Sequence, residues 1–179
     1  MRVTLVDFIG SAEAWGTEKG AEVFGALNKE LLNVSQGIVV SISYRGLQRS
    51  DASFQREAVV ELLRKYRPRL CFVATELKDK DVLANLELAL QRYQLCLLLN
   101  DRGSLRILGK QPNKELSDTW RFVEKAGRVT TPRLADALDL ETATASSRLS
   151  TLWKAGLLKR TEGAASNGGR EFLYEPLLS

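Results

Sequence analysis

From Leu116 to Leu178 the hydrophobic period of the chain changes repeatedly, and this constrains the fold more than any other feature. LSDTWRFVEKAG has the spacing of an amphipathic helix, and RVTT is a short extended step. PRLADALDL and ETATASSRLSTLWKAGLL are helical again, while LLKRT and REFLYEP are strand-like. The Gly/Ser/Asn run EGAASNGG lies between the two strands. The boundaries have local chemistry to match. Thr131-Pro132 suits a helix start, because a hydroxyl caps free N–H groups and proline fits a first turn. Leu134, Ala135, Leu138 and Leu140 fall on one face, and Asp139-Leu140-Glu141 makes a turn without glycine. Ala145, Leu149 and Leu152 recur at core spacing, and Gly156 stands where the helix must end. The hairpin tip, Gly163 to Gly169, is expected to be flexible, with Arg160 and Arg170 at its roots.

Helix, short strand, helix, turn, helix and hairpin, in that order, resembles the winged helix-turn-helix of the ArsR/MarR-like regulator class. The motif carrying the likeness is LADALDL…TATASSRLSTLWKAGLLKR followed by GGREFLYEP. The resemblance implies binding to double-stranded DNA. It turns Thr142, Thr144, Ser146, Ser147 and Arg148 toward base edges or phosphates, where hydroxyls and a guanidinium can donate. Lys159, Arg160 and Arg170 of the hairpin join them as phosphate contacts. The same pattern also fits a module used only for protein contact. Residues 113–179 carry ten basic and nine acidic side chains, so any DNA affinity must come from distribution rather than net charge. Paired half-sites lead us to expect a homodimer.

Residues 1–112 alternate strand and helix. TLVDFIG, GIVVSISY, RLCFVAT, LCLLLND and SLRILGK read as strands. TEKGAEVFGALNKELLN, SDASFQREAVVELLRKY and DKDVLANLELALQRY read as helices, the first with Val23, Phe24, Leu27, Leu31 and Leu32 on one side. Gln111-Pro112-Asn113-Lys114 breaks the pattern, so the expected organisation is an α/β domain over 1–112 and a second domain over 113–179. GTEKGAEVFGAL, IVVSISYRGLQRSDASFQREAVVELL and ATELKDKDVLANLELAL resemble the STAS-like family, relatives of anti-sigma-factor antagonists. That likeness implies a sensing, dimerising or partner-docking domain. It also raises a phosphorylation or partner site at Ser50, Asp51 and Ser53, recognised by a kinase-like or ATPase protein. The sequence departs from the antagonist motif at Ala52 and Phe54. Local chemistry offers another reading: Ser50 or Asp51 caps a helix and Phe54 packs in the core.

Composition narrows the function classes. The chain has 179 residues, enough for two small domains. It has no histidine, which removes the commonest general base and nitrogen metal ligand. Two cysteines, Cys71 and Cys96, sit in apolar runs and read as reduced core thiols. There is no GxxxxGK[ST] run and no GxGxxG after a strand. Neither an enzyme, a metal nor a cofactor is therefore expected. No apolar run approaches the ~20 residues that span a bilayer. MRVTLVDFIGSAE lacks a signal-peptide pattern, so a cytoplasmic protein without membrane contact is expected. Trp15 and Trp120 read as partly buried anchors, and Trp153 as a contact to the α/β domain or to another subunit.

Overall fold

A computed structural model describes residues 1–164 and 170–178, with the backbone alone at Ala164. It divides into two compact units, Met1–Gln111 and Pro112–Ser179. Together they make a mixed α/β chain with a mostly parallel central sheet.

The first unit is built on β1 (Arg2–Thr4), β3 (Val39–Ser43), β5 (Cys71–Thr75), β6 (Cys96–Asp101) and β7 (Ser104–Gly109), neighbours in that order. The first four are mutually parallel, and β7 returns antiparallel from β6. Helix α2 (Gly16–Leu31) links β1 to β3, and α5 (Lys80–Arg92) links β5 to β6. Between β3 and β5 the chain runs through α3 (Ala52–Gln55), a π-helical turn (Arg56–Val60) and α4 (Glu61–Tyr66). Strand order follows chain order, so right-handed crossovers place all these helices on one face. The packing of α2 on α3, and of α3 on α5, agrees. Gly20 allows the first approach, since a Cβ there would lie 2.6 Å from Glu57 Cβ.

The helix-facing rows of the sheet are apolar and buried: Val3, Ile42, Ala74 and Leu99, with Val40, Phe72 and Leu97 behind them. The alternate residues point to the opposite face. Near the carboxyl ends of the strands these are polar, and Thr4, Ser43, Thr75 and Asn100 stand side by side in register. Both cysteines are free and buried.

Two expectations fail here. TLVDFIG is a strand only through Thr4, and Leu5–Ile9 is a helix, α1. Leu5 and Ile9 are both buried four residues apart, and Gly10 closes the helix in the left-handed region at φ 75°. Leu32 turns outward, 54% exposed, beyond the end of α2. A two-stranded parallel pair, β2 (Glu13–Ala14) with β4 (Arg49–Ser50), was too short to show in the hydrophobic period.

The second unit comprises α6 (Lys114–Ala126), β8 (Val129–Thr130), α7 (Thr131–Leu138), α8 (Thr142–Lys154), β9 (Leu158–Ala164) and β10 (Arg170–Pro176). Strand β10 lies between β8 and β9, antiparallel to both. α6 and α7 pack on α8. Leu134, Ala135, Ala145, Leu149 and Leu152 are buried, while Leu138 and Leu140 are half-buried. Thr130, one residue earlier than expected, caps α7 by accepting from the Arg133 amide at 3.4 Å. Asp139 makes the turn by itself adopting φ 50°. β9 runs to Ala164, so it is longer than LLKRT. The expected flexible tip beyond Ala164, residues 165–169, lies outside the described residues. Among the described residues no helix is long and apolar enough to cross a membrane.

Candidate nucleic-acid interface

α8 has to bury Ala145, Leu149 and Leu152, and this fixes the direction of every other side chain on it. At about 100° per residue, the face opposite that stripe carries Ala143, Ser147, Ser150 and Lys154. Thr142 and Ser146 lie on one flank of it, together with Trp153. Thr144 and Arg148 lie on the other. Thr142, Ala143, Ser146, Ser147 and Lys154 are exposed, whereas Thr144, Arg148, Ser150 and Trp153 are half-buried. The five residues expected to form one surface on this helix therefore do not all share it. Thr142, Ser146 and Ser147 come together, and Lys154 joins them.

The hairpin imposes a second division. Register pairs Arg160 with Tyr174, Glu162 with Phe172, and Lys159 with Glu175. Strand residues alternate faces, so Arg160, Glu162, Phe172 and Arg170 share one side and Lys159 lies on the other. Lys159 therefore does not share the hairpin face of Arg160 and Arg170. Lys159 immediately precedes Arg160 in β9, and neighbours in a strand point apart.

Arg160 has a defined seat. Its guanidinium carbon lies 3.3 Å from the centre of the Trp153 ring and 4.1 Å from that of Phe172. Stacking of this kind contributes about 0.5–2 kcal/mol and holds the guanidinium plane in one orientation. Trp153, expected to meet another domain or subunit, is thus half-buried under an arginine of its own unit. Phe172 stays 45% exposed. Arg170 is paired with Glu162 at 3.1 Å, both largely open to solvent, so its charge is partly spent within the hairpin.

The start of α8 differs from those of α5, α6 and α7. Asp79, Asn113 and Thr130 cap α5, α6 and α7 with their side chains. The residue before α8 is Glu141, which makes no side-chain cap bond among the described residues. The first-turn N–H groups, flanked by exposed Thr142 and Ala143, remain available to an anion.

The other candidate set lies at the start of α3. Ser50 is buried, with its hydroxyl accepting from Gln55 Nε2 at 2.7 Å, and Gln55 Oε1 accepts from the Tyr44 hydroxyl at 2.9 Å. Burial pushes the Tyr44 hydroxyl far above its ordinary range, so it stays a donor. Asp51 accepts from the Phe54 amide at 2.8 Å and from the Gly16 amide at 3.1 Å, serving α3 and α2 at once. Phe54 is fully buried. Only Ser53 of this set is exposed, in a shallow cleft with Arg56, Leu88, Arg92 and Tyr93. A partner that reads this surface meets Ser53, not Ser50.

Sequence reasoning missed Phe172 as a member of the α8–hairpin surface, and Glu162 as a counter-charge on it. Strand alternation was the signal that could have found both. Among the described residues no group of three or more Cys, Asp or Glu is placed to hold a metal ion. Comparison with known protein families finds none whose model matches the chain, and comparison with curated proteins finds no match.

Proposed function

We propose that the chain is a DNA-binding transcriptional regulator. In this reading Pro112–Ser179 is a winged helix-turn-helix of the ArsR/MarR-like kind and Met1–Gln111 is a STAS-like domain for sensing, dimerisation or partner docking. One observation carries it. The uncapped start of α8, its exposed Thr142, Ser146, Ser147 and Lys154, and the stacked Arg160 of the hairpin all belong to a helix and a wing packed side by side. Hydroxyls and amides that have no internal use suit phosphate oxygens and base edges, and a planar guanidinium suits a phosphate. A homodimer would double a modest set of contacts. The test is binding of the purified chain to random duplex DNA at low salt, followed by selection of bound genomic fragments. Binding that falls with salt and with Lys154→Ala supports the reading. No binding at low salt ends it.

A second reading rests on the cleft around Ser53. There Leu88, 57% exposed, stands beside Arg56 and Arg92. A protein-interaction module of a STAS/kinase-type partner-switching system would use that surface, with the second unit as an accessory. Capture of a kinase-like or ATPase partner that Ser53→Glu and Leu88→Asp both abolish would favour it.

A further inference from the structure

The face of the sheet away from the helices ends in a cleft of about 400 Å³, and its construction is unlike the rest of the first unit. Its floor is polar. Ser41 and Thr75 share a hydrogen bond at 3.0 Å, and Asn100 lies in register beside Thr75. The residue before each of these, Val40, Ala74 and Leu99, is apolar and buried against the helices. Three cationic side chains reach the rim from three separate segments: Arg2 of β1, Lys78 between β5 and α5, and Arg102 in the turn between β6 and β7. Glu76 stands among them, accepting from Ser43 Oγ at 2.6 Å and paired with Arg2.

The backbone supplies an independent observation. Glu76 has φ 57° and Arg102 has φ 53°. Residues other than glycine, asparagine and aspartate seldom adopt this region, and such strain collects at ligand sites. The Arg102-Gly103 turn is a two-residue hairpin in which asparagine or glycine is the favoured first residue. A guanidinium has been placed there against local preference. The cleft also opens at the carboxyl ends of parallel strands, where sheets of this kind expose their ligand sites.

We propose that this cleft binds a small phosphate monoester that also carries hydroxyl groups. Lys78 and Arg102 take the phosphate, whose three terminal oxygens can use more donors than a carboxylate offers. Asn100 and the Ser41–Thr75 pair contribute hydrogen bonds from the floor. Glu76 accepts from a ligand hydroxyl. The Ser43 hydrogen bond and then the Arg2 charge hold its carboxyl below the usual range, so it remains an acceptor at neutral pH. This inference is independent of DNA binding, because every residue in it belongs to the first unit.

The test uses the full chain, with inorganic phosphate and glycerol 3-phosphate as probes, binding being read by phosphorus NMR line width and by calorimetry. Glycerol 3-phosphate should bind several-fold tighter than phosphate. The double variant Lys78→Ala/Arg102→Gly should weaken both at least tenfold. Its fold is protected, since both side chains are exposed and glycine relieves the backbone at 102. Glu76→Ala should erase the preference for glycerol 3-phosphate, and Lys29→Ala, exposed on α2 and outside the cleft, should change nothing. Absence of binding, or binding that survives the double variant, or a loss equal in Lys29→Ala, overturns the proposal. A preference that persists in Glu76→Ala overturns the role given to Glu76.

Discussion

The starts of α3 and α8 use the same kinds of residue to opposite ends. At α3, Ser50, Asp51 and Gln55 are joined to Tyr44 and to two backbone amides by hydrogen bonds of 2.7–3.2 Å, and little capacity is left over. At α8, Thr142, Ser146 and Ser147 point outward and no side chain caps the first turn among the described residues. Serine, threonine and aspartate do not by themselves announce a site. What separates wiring from surface is whether the fold supplies an internal partner. A buried polar group must have one, because leaving it unpaired costs about 1–3 kcal/mol.

The contrast can be broken most severely at Gln55. Gln55→Ala strands the Tyr44 and Ser50 hydroxyls and opens a void in the core, so it should destabilise the first unit by about 3 kcal/mol. Asp51→Ala removes an acceptor shared by two helix starts and should cost about 2 kcal/mol. Ser146→Ala and Ser147→Ala, on an open face, should move stability by less than about 0.5 kcal/mol. Urea denaturation of the four variants compares them directly. An Asp51→Ala protein as stable as the parent would remove the distinction between closed and open starts.

Binding variants sharpen the other half. If the open surface meets DNA, Arg160→Ala should weaken binding by about 1–2 kcal/mol, since it loses both a cation and a fixed guanidinium plane. Arg160→Lys should recover only part of this, because an ammonium does not stack as a plane. Lys154→Ala should reduce the salt slope by about one unit. Lys159→Ala, on the far side of the hairpin, should stay within about twofold. Equal losses for Arg160→Ala and Lys159→Ala would mean that the charge of the hairpin matters and its facing does not.

Much of the element order was legible because hydrophobic period carries it. β3, β5 and β6 are runs of β-branched or aliphatic residues between turn signals, and α2, α5 and α8 repeat their apolar positions at helical spacing. Period fails on short elements. TLVDFIG holds a three-residue strand and a five-residue helix, and neither is long enough to reveal its repeat. The separation of Lys159 from Arg160 was legible in principle, as adjacent strand residues must part. The double duty of Asp51 was not, because Gly16 is thirty-five residues away in sequence and no local pattern connects them. The polar row from Thr4 to Asn100 was equally hidden: each hydroxyl or amide lies at or next to the end of its own strand, and only the register brings them together.

Glu76 offers the smallest effect and the cleanest sign. Its carboxyl is held below the ordinary value of 4.5, first by the Ser43 hydrogen bond and then by the charges of Arg2, Arg45 and Lys78. A carboxyl lowered in the folded state binds its proton more weakly there than in the unfolded chain. Its contribution is therefore fully present above the unfolded value and is lost as pH falls through the lowered one. Glu76→Gln abolishes that titration while keeping an acceptor and the side-chain length. Denaturant midpoints followed from pH 7 downward should fall less steeply for the variant in the acid range and run parallel to the parent near neutrality. Because Glu76 is open to water, the difference should be slight, and phosphate in the buffer should alter it if the cleft is occupied. Parallel curves throughout would show that the Ser43 and Arg2 contacts do not discriminate between the two protonation states, and that the strained backbone at this residue is maintained by the fold alone.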